Sequence, residues 1–219
     1  AAENAFGAAR GAERAVVALL GRGVGLGLIE DGHPFRGRHG SAAEWGHTCI
    51  AVGGRACECG GHGCVEAYLG GSAVLERWRE AGGQPEGHGW NALGSLLDAA
   101  DAGDAPAAAV VEQTIAILGA ALANLVNLYN PERVVVGGWV GLRLMERRAE
   151  EVERAVRAQA LHRFAAEFTF HPCAFGGDSV ALGAALLPLE RLLDAPLPRR
   201  GTIFTPTPAA LVRTSKEMS

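Results

Sequence analysis

The chain has 219 residues and a formal net charge of -4, with 48% apolar and 20% charged residues. That length buries a substantial core, in one domain or two small lobes, and the slight acidity argues against nucleic acid or an anionic membrane as a direct partner. No charged-then-apolar leader opens the chain and no uninterrupted apolar run approaches the roughly 18 residues of a spanning helix, so a cytoplasmic location without a membrane role is expected.

In chain order, residues 1–6 (A-A-E-N-A-F) read as a helix entered partway, so a first part of the protein upstream of residue 1 is expected. Residues 14–20 read as a buried strand, followed by a glycine-rich turn, G-R-G-V-G-L-G, at 21–27. Leu28 and Ile29 then run into the Asp31-Gly32 turn, which gives strand, turn, strand and hairpin over 14–36. A cysteine-rich loop occupies 41–66, and helices are predicted over 66–82 and 91–103 with a polar break at 82–89. Over 106–129, Val111, Ile115, Leu118, Leu122, Leu125 and Tyr129 form one apolar stripe at helical spacing, and Asn130-Pro131 stops it. Val134-Val135-Val136 reads as a strand buried on both faces. A helix over 142–162 follows, with Glu150–Arg154 and Glu153–Arg157 spaced to pair. A strand over 167–171 and a helix over 179–192 complete an α/β order, with Asp178 placed to cap the last helix. From 194 onward, four prolines and two adjacent arginines predict a surface tail or disorder.

Five cysteines, at 49, 57, 59, 64 and 173, are an odd number and fit reduced thiols better than a disulfide scaffold. Three of them stand with His47 inside eighteen residues: His47, Cys57, Cys59 and Cys64. Three thiolates and one imidazole are a common closed set for structural zinc. The glycines at 60, 61 and 63 let the backbone turn tightly enough for Cys59 and Cys64 to share an ion. His62 could replace His47 as fourth ligand on spacing alone, and a disulfide with spare thiols is the bland alternative.

Two glycine segments have double readings. G-R-G at 21–23 could cradle a phosphate on backbone N–H groups or serve as a tight strand-to-strand turn; neither the P-loop nor the dinucleotide pattern is present. Gly137-Gly138 permits close approach by a flat ligand or simply turns a strand into a helix. Glu44 and Glu66 flank the cysteine loop. Carboxylates grip sugar hydroxyls by accepting hydrogen bonds, so these two form either a sugar clamp or surface and support charge.

These residues, in this order, resemble the ROK family (repressors, uncharacterised reading frames and sugar kinases) of the actin-like ATPase superfamily, over residues 3–190. F-G-A-A-R-G at 6–11 resembles the family's segment before its phosphate-loop strand, E-W-G-H at 44–47 its E-x-G-H, and C-E-C-G-G-H-G-C-V-E at 57–66 its C-x-C-G-x-x-G-C-x-E. N-L-Y-N-P-E-R-V-V-V-G-G at 127–138 is similar to the stretch leading into its adenosine-side glycines. The resemblance implies an actin-like (ribonuclease H-like) α/β fold with an incomplete N-terminal lobe and a zinc-stapled loop over 1–193, followed by the tail 194–219. It implies zinc on His47, Cys57, Cys59 and Cys64, sugar contacts at Glu44, His47 and Glu66, and nucleotide contacts at Gly21, Arg22, Gly23, Gly137 and Gly138.

Two departures count against a kinase. The family's catalytic Asp, in N-D-x-N, falls upstream of residue 1, and Glu3-Asn4 is followed by Ala5 rather than Asp. Arg22 also replaces the small hydroxyl residue of the kinases' G-T-G-x-G. The segment 183–196 looks like the close of the family's transcriptional regulators. The expectation is therefore the sugar-sensing domain of such a regulator, a homodimer that reaches DNA through a winged helix-turn-helix outside this chain. A sugar kinase using Mg-ATP is the alternative, and a zinc-stapled interaction module without ligand is the third reading. A part-lobe should also expose apolar surface, giving either a compensating dimer or marginal solubility.

Overall fold

The computed structural model describes residues 1–194, so the tail expected over 195–219 lies outside the described residues. The helices are α1 (Ala2–Ala5), α2 (Glu66–Leu69), α3 (Gly71–Glu80), α4 (Trp90–Asp101), α5 (Ala105–Tyr129), α6 (Gly138–Gln159), α7 (His162–Ala165) and α8 (Ser179–Asp194). The strands are β1 (Ala15–Leu20), β2 (Val24–Glu30), β3 (His33–Pro34), β4 (Arg133–Gly137) and β5 (Thr169–Pro172). They form one mixed sheet in the order β3-β2-β1-β4-β5. β1 lies at its centre, antiparallel to β2 (Ala18 opposite Leu26) and parallel to β4 (Ala18 opposite Val136).

β1 is apolar throughout because both of its faces are covered. Val16, Ala18 and Leu20 join Val134 and Val136 in the larger core beneath α4, α5 and α6, while Ala15 and Val17 meet Val135, Ile29 and Cys173 on the other face. α5 is the long core helix. Asp104 caps it by accepting a 2.7 Å bond from Ala107 N, and Asn130 ends it in the left-handed conformation at φ 47°. Gly119 lets α6 approach, since a Cβ there would stand 2.5 Å from Ala155 Cβ. By length and composition α5 could cross a membrane, but 61% of its apolar window is buried inside the domain, as in a core helix.

Several predicted boundaries move. The glycine-rich turn spans only Gly21–Gly23, where Gly21 N bonds Gly23 O at 2.9 Å, and Gly25 and Gly27 lie inside β2. The helix expected over 66–82 is two helices. Gly70 between them is extended (φ -62°, ψ 141°), and a Cβ on it would stand 3.0 Å from Arg22 O. α6 begins at Gly138, directly at the end of β4, four residues earlier than expected from the sequence. Of the two predicted ion pairs on α6, Glu153–Arg157 forms at 2.5 Å; Glu150–Arg154 does not.

Glu3, which the sequence sets apart from the catalytic segment because Ala5 follows Asn4, is 4% exposed. Its carboxylate accepts hydrogen bonds from Ala8 N (2.8 Å), Ala174 N (3.1 Å), Phe175 N (3.3 Å) and Ser179 Oγ (2.9 Å). It thereby joins α1 to the start of α8, where Asp178 had been expected to act as the cap. Burial pushes the Glu3 pKa up, but these four donors together hold it below the ordinary 4.5.

Candidate metal centre and adjoining cleft

The cysteine loop is anchored at its start by a 3-10 turn, Trp45–His47. Trp45 is buried, and Gly46 packs so tightly on β2 that a Cβ would stand 2.2 Å from Val24 O. The loop then folds back on itself through two isolated bridges, Cys49 with Cys64 and Ala56 with His62. Gly63 makes this possible: φ is +74°, and a Cβ there would stand 1.7 Å from Ala51 O.

This folding brings His47, Cys57, Cys59 and Cys64 together, with their ligand atoms all within 4.8 Å of one another. Cys57 Sγ lies 3.7 Å from His47 Nδ1, and Cys59 Sγ lies 3.6 Å from Cys64 Sγ. Tetrahedral zinc with bonds of about 2.3 Å to sulfur needs sulfur–sulfur separations of about 3.8 Å, so the donor set fits that ion in type and in size. His62, the alternative ligand, stands outside the cluster, and the five cysteines are free in this structure. Burial, with Cys59 and Cys57 beside it, pushes the Cys64 thiol up to about 12. The Gly61 N–H, followed by the neighbouring thiols, holds Cys59 below the usual 9.0. A bound cation must displace the Cys64 proton, so occupancy rises with pH.

The loop is fastened to the helices by Arg55. Its backbone N–H bonds Tyr68 Oη at 3.0 Å, and its guanidinium reaches Glu80 at 2.8 Å and Glu76 at 3.1 Å. Behind Tyr68, the buried Arg77 donates to Tyr68 O, Thr114 Oγ1 and Gln113 Oε1, and burial lowers its pKa to about 10.

A cleft of about 870 Å³ opens between this loop, the Gly21–Gly23 turn and the start of α3. Arg22, Gly23, Glu58, Glu66, Ser72 and Glu76 are among the residues that line it. Glu66 opens α2 and is fixed in place: its Oε2 accepts from Val24 N at 2.8 Å, and only a glycine at 23 leaves room for it. Arg22 is exposed and pairs with no acidic side chain among the described residues. Glu44 and His47 are exposed beside the metal cluster and outside the lining of this cleft. The structure thus unites the four candidate metal ligands, and Glu66 with Arg22 and Gly23.

Gly137 and Gly138 form the corner between β4 and α6. A Cβ on Gly137 would stand 2.2 Å from Cys173 Sγ, and one on Gly138 (φ +72°) 2.3 Å from Leu20 O, so packing alone requires both glycines. The residue after them was missed in the sequence reading. The Trp139 indole spans from this corner to the Gly21 turn and α3: ring atoms lie 3.6 Å from a Cβ position on Gly21 and 2.1 Å from one on Gly71. Small residues at 21 and 71, fifty apart, were the only signal that a large side chain fills the space between them.

The mixed sheet and His/Cys cluster are those of the actin-like ATPase fold as it occurs in ROK proteins. The ROK family model matches residues 1–191, and the chain belongs to that family. A glucokinase of Halalkalibacterium halodurans is 33% identical over 191 residues, covering 83% of this chain and 58% of the relative. The DNA-binding transcriptional repressor Mlc of Escherichia coli is 31% identical over 195 residues, covering 85% and 47%. Among solved structures, the ROK hexokinase from Thermus thermophilus superposes with a TM-score of 0.76 at 31% identity, covering 89% of this chain and 63% of that one. The chain spans about half the length of the curated relatives it matches. Regulators and kinases match it equally well.

Proposed function

We propose that the chain is the sugar-sensing domain of a ROK-type transcriptional regulator. The observation that carries this reading over the kinase is Trp139. The resemblance assigns nucleotide contacts to Gly21–Gly23 and Gly137–Gly138, and the indole stands against Gly21 and Gly71, between those two segments. Arg22 adds a long side chain at the tip of the turn where the kinases carry a small hydroxyl residue. In this reading the two side chains take up space that the phosphates of a nucleotide would need beside the Gly21–Gly23 turn.

A hexose-like ligand would bind at Glu66, Glu44 and His47. One Glu66 oxygen is held by Val24 N, which leaves the other to accept from a sugar hydroxyl. His47 turns Nδ1 toward Cys57, so Nε2 is its free hydrogen-bonding atom. In this reading zinc is structural and fixes the loop that carries the clamp, so metal loss weakens sugar binding. The protein acts as a homodimer, and DNA is contacted by a helix-turn-helix domain outside these residues. Sugar changes operator affinity only through different affinities for two conformations.

The test is calorimetric titration of the full-length protein with hexoses and N-acetylhexosamines, with and without Mg-ATP. Sugar binding without phosphorylated product is expected. Turnover to a sugar phosphate would establish the kinase reading instead, with its base upstream of residue 1. Unchanged sugar affinity in both Glu44→Ala and Glu66→Ala would sink both sugar readings.

A further inference from the structure

Cys49 is the thiol of the metal loop that the four-ligand cluster leaves out. It is exposed, and its bridge partner across the loop is Cys64, a metal ligand that is 4% exposed. Two hydrogen bonds bracket the pair: Ile50 N to Gly63 O at 2.8 Å and Val65 N to Thr48 O at 3.0 Å. Cys49 and Cys64 exchange no bond with each other, so they occupy the narrow kind of antiparallel position. There the Cα atoms lie about 4.5 Å apart and both side chains leave the same face. Disulfides span Cα separations of about 4.4–6.8 Å, so the backbone already suits a bond between the two. Cys49 Sγ also lies over Gly63, 3.3 Å from a Cβ position there, against the residue that precedes Cys64.

We infer that Cys49 and Cys64 are a disulfide-forming pair set into the metal loop, with a peroxide as the oxidant. Cys49 is the thiol that peroxide meets first, because it is exposed and not among the ligands. One hydrogen peroxide converts it to the sulfenic acid with release of water. The Cys64 thiolate then attacks that sulfur; the S–S bond forms, the S–O bond breaks, and hydroxide leaves and takes up a proton. Two thiols and one peroxide thus give one disulfide and two waters, a two-electron oxidation. The donor set falls from four to three, His47, Cys57 and Cys59, and loses its closed tetrahedral character. The inference rests on the zinc reading of the cluster. Its consequence for ligand binding rests on the proposed sugar clamp, since His47 belongs to both.

The test uses the full chain loaded with zinc and titrated with hydrogen peroxide. Metal release is followed with a chromogenic chelator, and the cross-links are mapped by tandem mass spectrometry. A Cys49–Cys64 peptide at about one equivalent of peroxide is expected. Cys49→Ser should bind zinc with the same stoichiometry and release it at least ten-fold more slowly. Equal release rates, or release while Cys49 stays reduced, would overturn the pair. A chain that binds no zinc would overturn the metal reading separately, and the peptide map of the zinc-free chain would still decide the disulfide.

Discussion

Replacing Glu3 by Gln tests whether one buried carboxylate joins the two ends of the domain. The change preserves shape but removes the charge and one acceptor. Glu3 Oε2 takes Ala8 N and shares Ala174 N with Oε1, which also takes Phe175 N and Ser179 Oγ. The amide fits best with its NH2 toward Ser179, whose hydroxyl can turn to accept from it and donate to Gly176 O, already 3.3 Å away. Phe175 N then loses its acceptor, and the bonds from Ala8 and Ala174 lose their charge assistance. A lost buried acceptor costs about 1–3 kcal/mol, and charged hydrogen bonds exceed neutral ones by about 1 kcal/mol. The net expectation is about 2 kcal/mol, or roughly a 30-fold shift toward the unfolded state. For a domain of this size that corresponds to about 4–8 °C in Tm.

The pH dependence supplies a second check. The folded Glu3 pKa lies below 4.5, so its stabilisation is fully present above that pH and is lost as pH falls through the folded value. Glutamine does not titrate, so the gap between wild type and Glu3→Gln must narrow below about pH 4.5. Urea denaturation of both proteins at pH 7 and at pH 3.5 measures it. A difference under about 0.5 kcal/mol at pH 7, or a gap equal at the two pH values, would refute the reasoning.

Two further substitutions probe the site. Gly63→Ala places a Cβ 1.7 Å from Ala51 O at a φ of +74°, so the loop must open; zinc per chain, measured by elemental analysis, should fall to well under half of wild type while the far-ultraviolet circular dichroism of the sheet and helices is kept. Gly71→Ala drives a methyl into the Trp139 ring and should destabilise the domain by about 1–3 kcal/mol with a shift in tryptophan emission. An unshifted emission would mean that the indole does not rest on Gly71.

The features legible in the sequence are those set by short-range chemistry. The four residues of the candidate metal cluster lie within eighteen residues with glycines between them, so spacing alone nearly defined the set; the family resemblance favoured His47 over His62, and the structure places His47, not His62, beside the three cysteines. The end of α5 was equally local, because Asn130 tolerates the left-handed conformation and Pro131 forbids helix before it. β1 was readable as a buried strand and β4 as one buried on both faces because unbroken apolar runs of that length have few other uses.

Tertiary structure decided whatever depended on a partner distant in sequence. Glu3 meets Ala174, Phe175 and Ser179 only because the sheet order brings the end of β5 beside α1, and no local pattern near residue 3 encodes that. Gly25 and Gly27 looked like turn residues until pairing with β1 drew them into a strand, where cross-strand hydrogen bonds outweigh glycine's poor intrinsic preference. Trp139 falls in the sequence between a predicted strand and a helix predicted from 142, with nothing local to mark it. It becomes the side chain that fills the space beside Gly21 only once β1 and β4 lie parallel and bring that turn and the β4–α6 corner to the same end of the sheet. Cysteine spacing likewise left Cys49 a spare thiol, and the register of a single bridge set it opposite Cys64. Local sequence specifies which atoms can bond; the register of the sheet and loop specifies which of them meet.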